Sequence, residues 1–222
     1  MLVRDPALAG RRLYLMRHGQ TYEPRLDAPM AGAAEDPELP LTEAGRAGVV
    51  ATAAAMQHLG LDAVHSSTFL RSRETARIVG EPHGLAPTTF PELTELRVYP
   101  EGGTLRDVAR RYLAIARELA AKPAQDVRLD CGRSVAEILD GAHAALHRIL
   151  GGEARRALVV AHGGINRLLL TSLLGLPLER FLAVDQDFAC VNVIDFVQGG
   201  YAIVRAINVT PRDLFKAAEA PA

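Results

Sequence analysis

The sequence predicts an α/β fold, a three-layer α/β/α sandwich with a mostly parallel central sheet. Three observations carry this. Short apolar runs of strand length alternate with longer runs of helix-forming residues. Two of the apolar runs end in a histidine followed by glycine, at His18-Gly19 and His162-Gly163, as strands do when they feed ligand-facing loops. The chain has 222 residues, 49% hydrophobic and 23% charged, which suits one large globular domain. A single domain over 1–222 is therefore expected, with its core at about 12–209 and fraying over 217–222.

Arg12-Leu13-Tyr14-Leu15-Met16 is short and apolar and runs into Arg17-His18-Gly19, which predicts a buried strand entering a loop. A long loop over 20–40 follows, carrying four prolines. Thr42 is the expected N-cap of an alanine-rich helix that reaches Leu59 and stops at Gly60. A second strand is expected over 61–66 and a helix over 69–79, with Leu70, Ile78 and Val79 apolar. The stretch 83–103 is rich in proline and glycine and reads mostly as loop. Helices over 104–121 and 134–150 are joined near Pro123. Ala157-Leu158-Val159-Val160-Ala161 is a third buried strand, ending at His162-Gly163-Gly164, and a helix covers 165–174. Segments 189–197 and 201–209 pair as a hairpin around Gly199-Gly200. An exposed apolar edge at 191–196 would invite a homodimer.

Composition narrows the function. Twenty-five basic and 26 acidic residues give a net charge of −1, so nothing favours nucleic acid or an anionic membrane as partner. The two cysteines, Cys131 and Cys190, stand far apart, which argues against a disulfide framework and a structural zinc site. No signal-like apolar segment opens the chain, and a cytoplasmic location is expected. His143 and His147 lie four apart on one helix, but no third ligand accompanies them, so no metal and no cofactor is expected.

The chemistry collects where strands end. If the strands before His18 and His162 are neighbours, both imidazoles face one crevice, and Gly19 and Gly163 let backbone approach an anion. A third strand-to-helix turn, Ser66-Ser67-Thr68-Phe69-Leu70-Arg71, brings Arg71 about one turn into a helix. Arg17 and Arg71 could then clamp a phosphoryl group while one imidazole attacks it.

Leu13-Tyr14-Leu15-Met16-Arg17-His18-Gly19-Gln20-Thr21 resembles the signature of the histidine phosphatase superfamily, the phosphoglycerate mutase-like fold. The block 66–76, the block 159–165 and Leu41-Thr42-Glu43-Ala44-Gly45 resemble its other motifs. The resemblance implies that His18 is the nucleophile that becomes phosphohistidine and that Arg17, Arg71 and His162 bind the phosphoryl group. Gly19, Gln20, Thr21 and Gly163 would line the phosphate pocket. The acid usually follows the pattern Leu-x-Glu, which Leu93-Thr94-Glu95 fits, with Glu92 and Glu101 as rivals. Three departures stand out. Tyr22-Glu23-Pro24 replaces a segment where the family often has a phosphate-binding asparagine. Gly132-Arg133-Ser134 replaces Gly-Glu-Ser, so Arg133 either meets a second anionic group or faces solvent. The segment 96–102 lacks the usual Gly and Trp.

The expected activity is that of a metal-independent phosphomonoesterase, of histidine acid phosphatase type, acting on a small phosphorylated metabolite. A mutase that returns the phosphoryl group, and a phosphate-binding module without turnover, are the alternatives.

Overall fold

In the computed structural model, residues 5–22, 36–98 and 103–211 are described. They are organised by a six-stranded sheet: β1 (Arg11–Arg17), β2 (Ala63–Ser66), β3 (Thr88–Thr89), β4 (Arg156–Ala161), β5 (Val191–Phe196) and β6 (Ala202–Val209). The order is β3-β2-β4-β1-β5-β6. Strands β3, β2, β4 and β1 are parallel, and β5 is antiparallel to both β1 and β6. β4 lies at the centre, and its residues Ala157, Leu158, Val159, Val160 and Ala161 are all fully buried. An unbroken apolar run is what a parallel strand covered on both faces requires.

Successive side chains of β1 and β4 point to opposite faces, and each face has its own core. Tyr14, Met16, Leu158 and Val160 pack against α1 (Glu43–Met56) and α2 (Leu70–Gly80). Leu13, Leu15, Ala157 and Val159 pack against α3 (Leu105–Ala121), α4 (Val135–Leu150) and α5 (Gly163–Leu173). Truncating a wholly buried side chain such as Leu158 to alanine would cost about 2–5 kcal/mol.

Helix starts follow the sequence closely because side chains cap them. Thr42 accepts from Gly45 N–H, while Thr104 with Asp107 and Ser134 with Glu137 form capping boxes. α5 begins at Gly163, two residues before the expected start, since His162 already has extended backbone. The stretch expected to be mostly loop contains β3 and a short 3-10 turn at Pro91–Leu93; two residues are too few for a periodic signal. Another 3-10 turn, at Leu178–Ala183, follows α5.

One expectation is overturned. β5 is not an exposed edge, because it hydrogen-bonds to β1 on one side and β6 on the other. The strand at that edge is β6. Pro24, Glu101 and the end 217–222 lie outside the described residues, as does most of the expected loop 20–40. Among the described residues no helix is long and apolar enough to cross a membrane.

Candidate active site

β1 and β4 pair in register up to Arg17 and Ala161, so the next residues, His18 and His162, emerge side by side. His18 N–H donates to Ala161 O at 3.0 Å, and its imidazole is 5.0 Å from that of His162, centroid to centroid. The His18 side chain is buried, and its Nδ1 lies 2.7 Å from Gly19 O. A carbonyl only accepts, so Nδ1 carries the proton and Nε2 keeps its lone pair. Burial, and then the charges of Arg71 and Arg17, hold the His18 pKa well below its ordinary value of 6.5. The imidazole is therefore neutral, with Nδ1 engaged by Gly19 O.

His162 is wholly buried, and burial, then His18, Arg71 and Arg17, hold its pKa well below 6.5 too. Its Nε2 is 2.7 Å from Ser67 Oγ, while its Nδ1 is buried with no hydrogen-bond partner among the described residues. Arg17 donates from Nη1 to Gln186 O at 2.5 Å, and its guanidinium lies 3.9 Å above the Phe188 ring. Arg17 Nε is likewise buried without a partner among the described residues. A Cβ on Gly163 would come within 3.3 Å of that Nε, so the glycine lets Arg17 lie across the start of α5.

Arg71 is delivered from the first turn of α2 and is also buried. Its Nη1 donates to Asp36 O at 3.0 Å, and it lies 4.6 Å above the Phe69 ring. α2 is fastened to the sheet by Ser72 Oγ, which donates to Val160 O at 2.7 Å. Thr75 Oγ1 donates to Arg71 O at 2.7 Å and accepts from Gly19 N–H at 3.0 Å, joining α2 to the His18 loop.

Glu95 reaches the same place from the other side. Its Oε1 accepts from the N–H groups of Leu96, Gly164 and Ile165 at 2.8, 3.0 and 3.3 Å. Among the described residues its Oε2 accepts only from Gly164, at 3.2 Å. Glu95, Arg17 and Gly163 border a cavity of about 200 Å³ whose opposite wall is apolar, built by Leu105, Val108, Ala109 and Tyr112 of α3. Of the rivals, Glu92 accepts from Arg148 at 2.6 Å beside α4, and Glu101 lies outside the described residues.

The residues of the first signature divide. Thr21 is buried in the loop after His18. Gly19 has its N–H engaged by Thr75, and a Cβ there would come within 2.5 Å of Val49 Cγ2, so this glycine serves the close approach of α1. Gln20 Nε2 donates to Tyr22 O at 3.0 Å, and Gln20 O accepts from Thr42 N–H at 2.9 Å. Arg133 is exposed and donates to Glu137 O at 2.9 Å. His147 bonds Asp5 at 2.7 Å, and no cluster that could hold a metal occurs among the described residues. Sequence reasoning assigned no role to Tyr112 and Phe188, which border the centre, or to Gln186, which holds Arg17, and Tyr22 stood out only as part of a departure. Ser67 was visible only as half of a serine pair.

The sequence profile of the Histidine phosphatase superfamily (branch 1) matches residues 13–209. The chain belongs to that superfamily. Among histidine phosphatase relatives, the 2-carboxy-D-arabinitol-1-phosphatase of Triticum aestivum is 29% identical over 192 residues, covering 86% of this chain. The chain spans about two fifths of the length of the plant relatives it matches, 38% for wheat and 42% for an Arabidopsis thaliana protein. A Yersinia pestis protein named "Probable phosphoglycerate mutase GpmB" is 31% identical over 171 residues, covering 75% of this chain and 76% of that one. The crystal structure of the alpha-ribazole phosphatase from Shigella flexneri superposes with a TM-score of 0.68 at 26% identity, covering 89% of this chain and 96% of that one.

Proposed function

We propose that the protein is a metal-independent phosphomonoesterase that hydrolyses a small phosphorylated metabolite through a phosphohistidine on His18. The observation that carries this is the bond from His18 Nδ1 to Gly19 O, which leaves Nε2 as the nucleophilic atom, beside Arg17 Nε and His162 Nδ1, two donors without a partner among the described residues. In the first step the Nε2 lone pair forms the N–P bond as the ester P–O bond breaks, and Glu95 gives its proton to the departing oxygen. In the second, Glu95 takes a proton from water, the water oxygen bonds phosphorus, and the N–P bond breaks to return neutral His18. Arg17, Arg71 and His162 hold the phosphoryl oxygens throughout, so side chains supply the charge that a metal would otherwise bring. Gly163 keeps the start of α5 open to Arg17, and Gly19, Gln20 and Thr21 shape the loop that carries His18. Two relatives named as phosphatases support hydrolysis. The small cavity with its apolar α3 wall suits a compact leaving alcohol.

A second reading, return of the phosphoryl group to substrate, is favoured by the resemblance to the protein named as a mutase. The test uses wild type and His18→Ala with 4-nitrophenyl phosphate in EDTA, followed by phosphate release. Release by wild type alone supports the hydrolytic reading. Release by both variants would refute the assignment of His18. A mutase would shift phosphate between positions of its substrate without net release.

A further inference from the structure

His162 raises a question that the phosphatase reading leaves open: which of its ring nitrogens carries the proton. With its pKa well below 6.5 the ring holds one proton, and a buried imidazole takes its tautomer from the partner of the other nitrogen. That partner is Ser67 Oγ, 2.7 Å from Nε2. A hydroxyl can donate or accept, so the rest of the Ser67 environment decides. Ser67 is wholly buried, and its Oγ already accepts from Phe69 N–H at 3.3 Å. Among the described residues the hydroxyl proton has one acceptor, His162 Nε2. If Nε2 held a proton instead, the Ser67 hydroxyl would be left as a buried donor with nothing to receive it, which is costly.

We infer that Ser67 is a positioning residue: its hydroxyl donates to Nε2 and fixes His162 as the Nδ1–H tautomer. The Nδ1–H is then a neutral donor, buried and without a partner among the described residues, flanked by His18, Arg17 and Arg71. What it donates to, an oxygen of the phosphoryl group, rests on the phosphatase reading; the tautomer itself does not. Removing the hydroxyl would free the proton to move to Nε2 and turn the Nδ1 lone pair toward an anion, as happens when a histidine loses its orienting partner.

The test is nitrogen NMR of histidine-labelled protein near pH 7.5, with His162 assigned by comparison with His162→Gln. Wild type is expected to show a protonated Nδ1 and a bare Nε2. Ser67→Ala is expected to shift the proton toward Nε2 and to lower kcat/KM for 4-nitrophenyl phosphate by about 10- to 100-fold. That is less than the roughly 10²–10³-fold loss for removing a transition-state donor outright. Ser67→Thr, which keeps the hydroxyl, is expected to restore both the tautomer and most of the rate. A protonated Nε2 in wild type overturns the inference whether or not Ser67→Ala folds, and so does a Ser67→Ala protein with the wild-type tautomer. A wild type that releases no phosphate would sink the phosphatase reading while the nitrogen spectrum still decides the tautomer.

Discussion

Replacing Gly164 by alanine probes the placement of the proposed acid without replacing a titratable group. The added Cβ would lie 2.6 Å from Glu95 Oε1, 2.5 Å from Tyr112 Oη and 2.9 Å from Leu96 Cδ1. An ordinary contact between carbon and oxygen is about 3.3 Å, so the two oxygens must retreat by about 0.7–0.8 Å. Both oxygens are the far ends of side chains and can swing away, so the fold is expected to survive at a cost of about 1–3 kcal/mol. Glu95 cannot swing away and keep its bonds, since Oε1 is held by three N–H groups at 2.8–3.3 Å. A misplacement of about 1 Å can cost 10²-fold in rate. The loss should depend on the leaving group. A nitrophenolate departs with little help, whereas an alkoxide needs a proton, which is worth about 10²–10⁴-fold.

The assay is therefore kcat/KM for an aryl and an alkyl phosphate, with Glu95→Gln as the benchmark and thermal unfolding as the control for stability. Gly164→Ala is expected to lose about 10- to 100-fold on the alkyl ester and clearly less on the aryl ester, in the same direction as Glu95→Gln. Equal losses on the two esters, or none on the alkyl ester, would refute the reasoning that Gly164 is small so that Glu95 can sit where it does.

Two further outcomes follow from packing and from burial. Gly45→Ala would press its Cβ into the Gln20 carbonyl, which is backbone and cannot yield, so a loss of about 3 kcal/mol in urea unfolding is expected. Gly48→Ala, on the same helix with nothing near its Cβ, should instead stabilise by about 0.5–1 kcal/mol. For pH, the folded pKa of His18 and of His162 lies well below the unfolded value of 6.5. Below 6.5 the unfolded chain takes up protons that the folded protein refuses, so stability is complete above 6.5 and falls as pH drops toward the folded values. The slope is up to about 1.4 kcal/mol per pH unit for each histidine. Urea titrations at several pH values check this, and His18→Gln should remove one share of the slope; a flat profile from about pH 6.5 to 5 would contradict the neutral buried pair.

What the sequence made legible follows from how narrowly chemistry restricts a position. His18, His162, Arg17, Arg71 and Glu95 are drawn from the few side chains that can attack, clamp or protonate, and the strand-to-loop transitions put four of them in corresponding places. Glycine carried less, because a missing Cβ has more than one cause. Gly19 reads as an approach for an anion, yet its N–H is spent on Thr75 and its open side admits α1. The edge of the sheet was misread for a similar reason. β6 carries Ile203 and Ile207 on its more exposed face, at 37% and 38% exposure, so its pattern does not announce an edge. The supports of the site were least visible. Gln186 holds Arg17 through its main-chain carbonyl, a group that every residue has, and its own side chain is tied to Asn192 at 2.9 Å. Phe188 offers Arg17 a ring face and Tyr112 closes the wall beside Glu95, roles that follow from where elements pack. A residue whose work is done by its backbone, or by a surface that several residue types could offer, leaves no signature in a single sequence. Ser67 lies between these extremes: a hydroxyl is required, and the reason for it appears only when His162 is seen beside it.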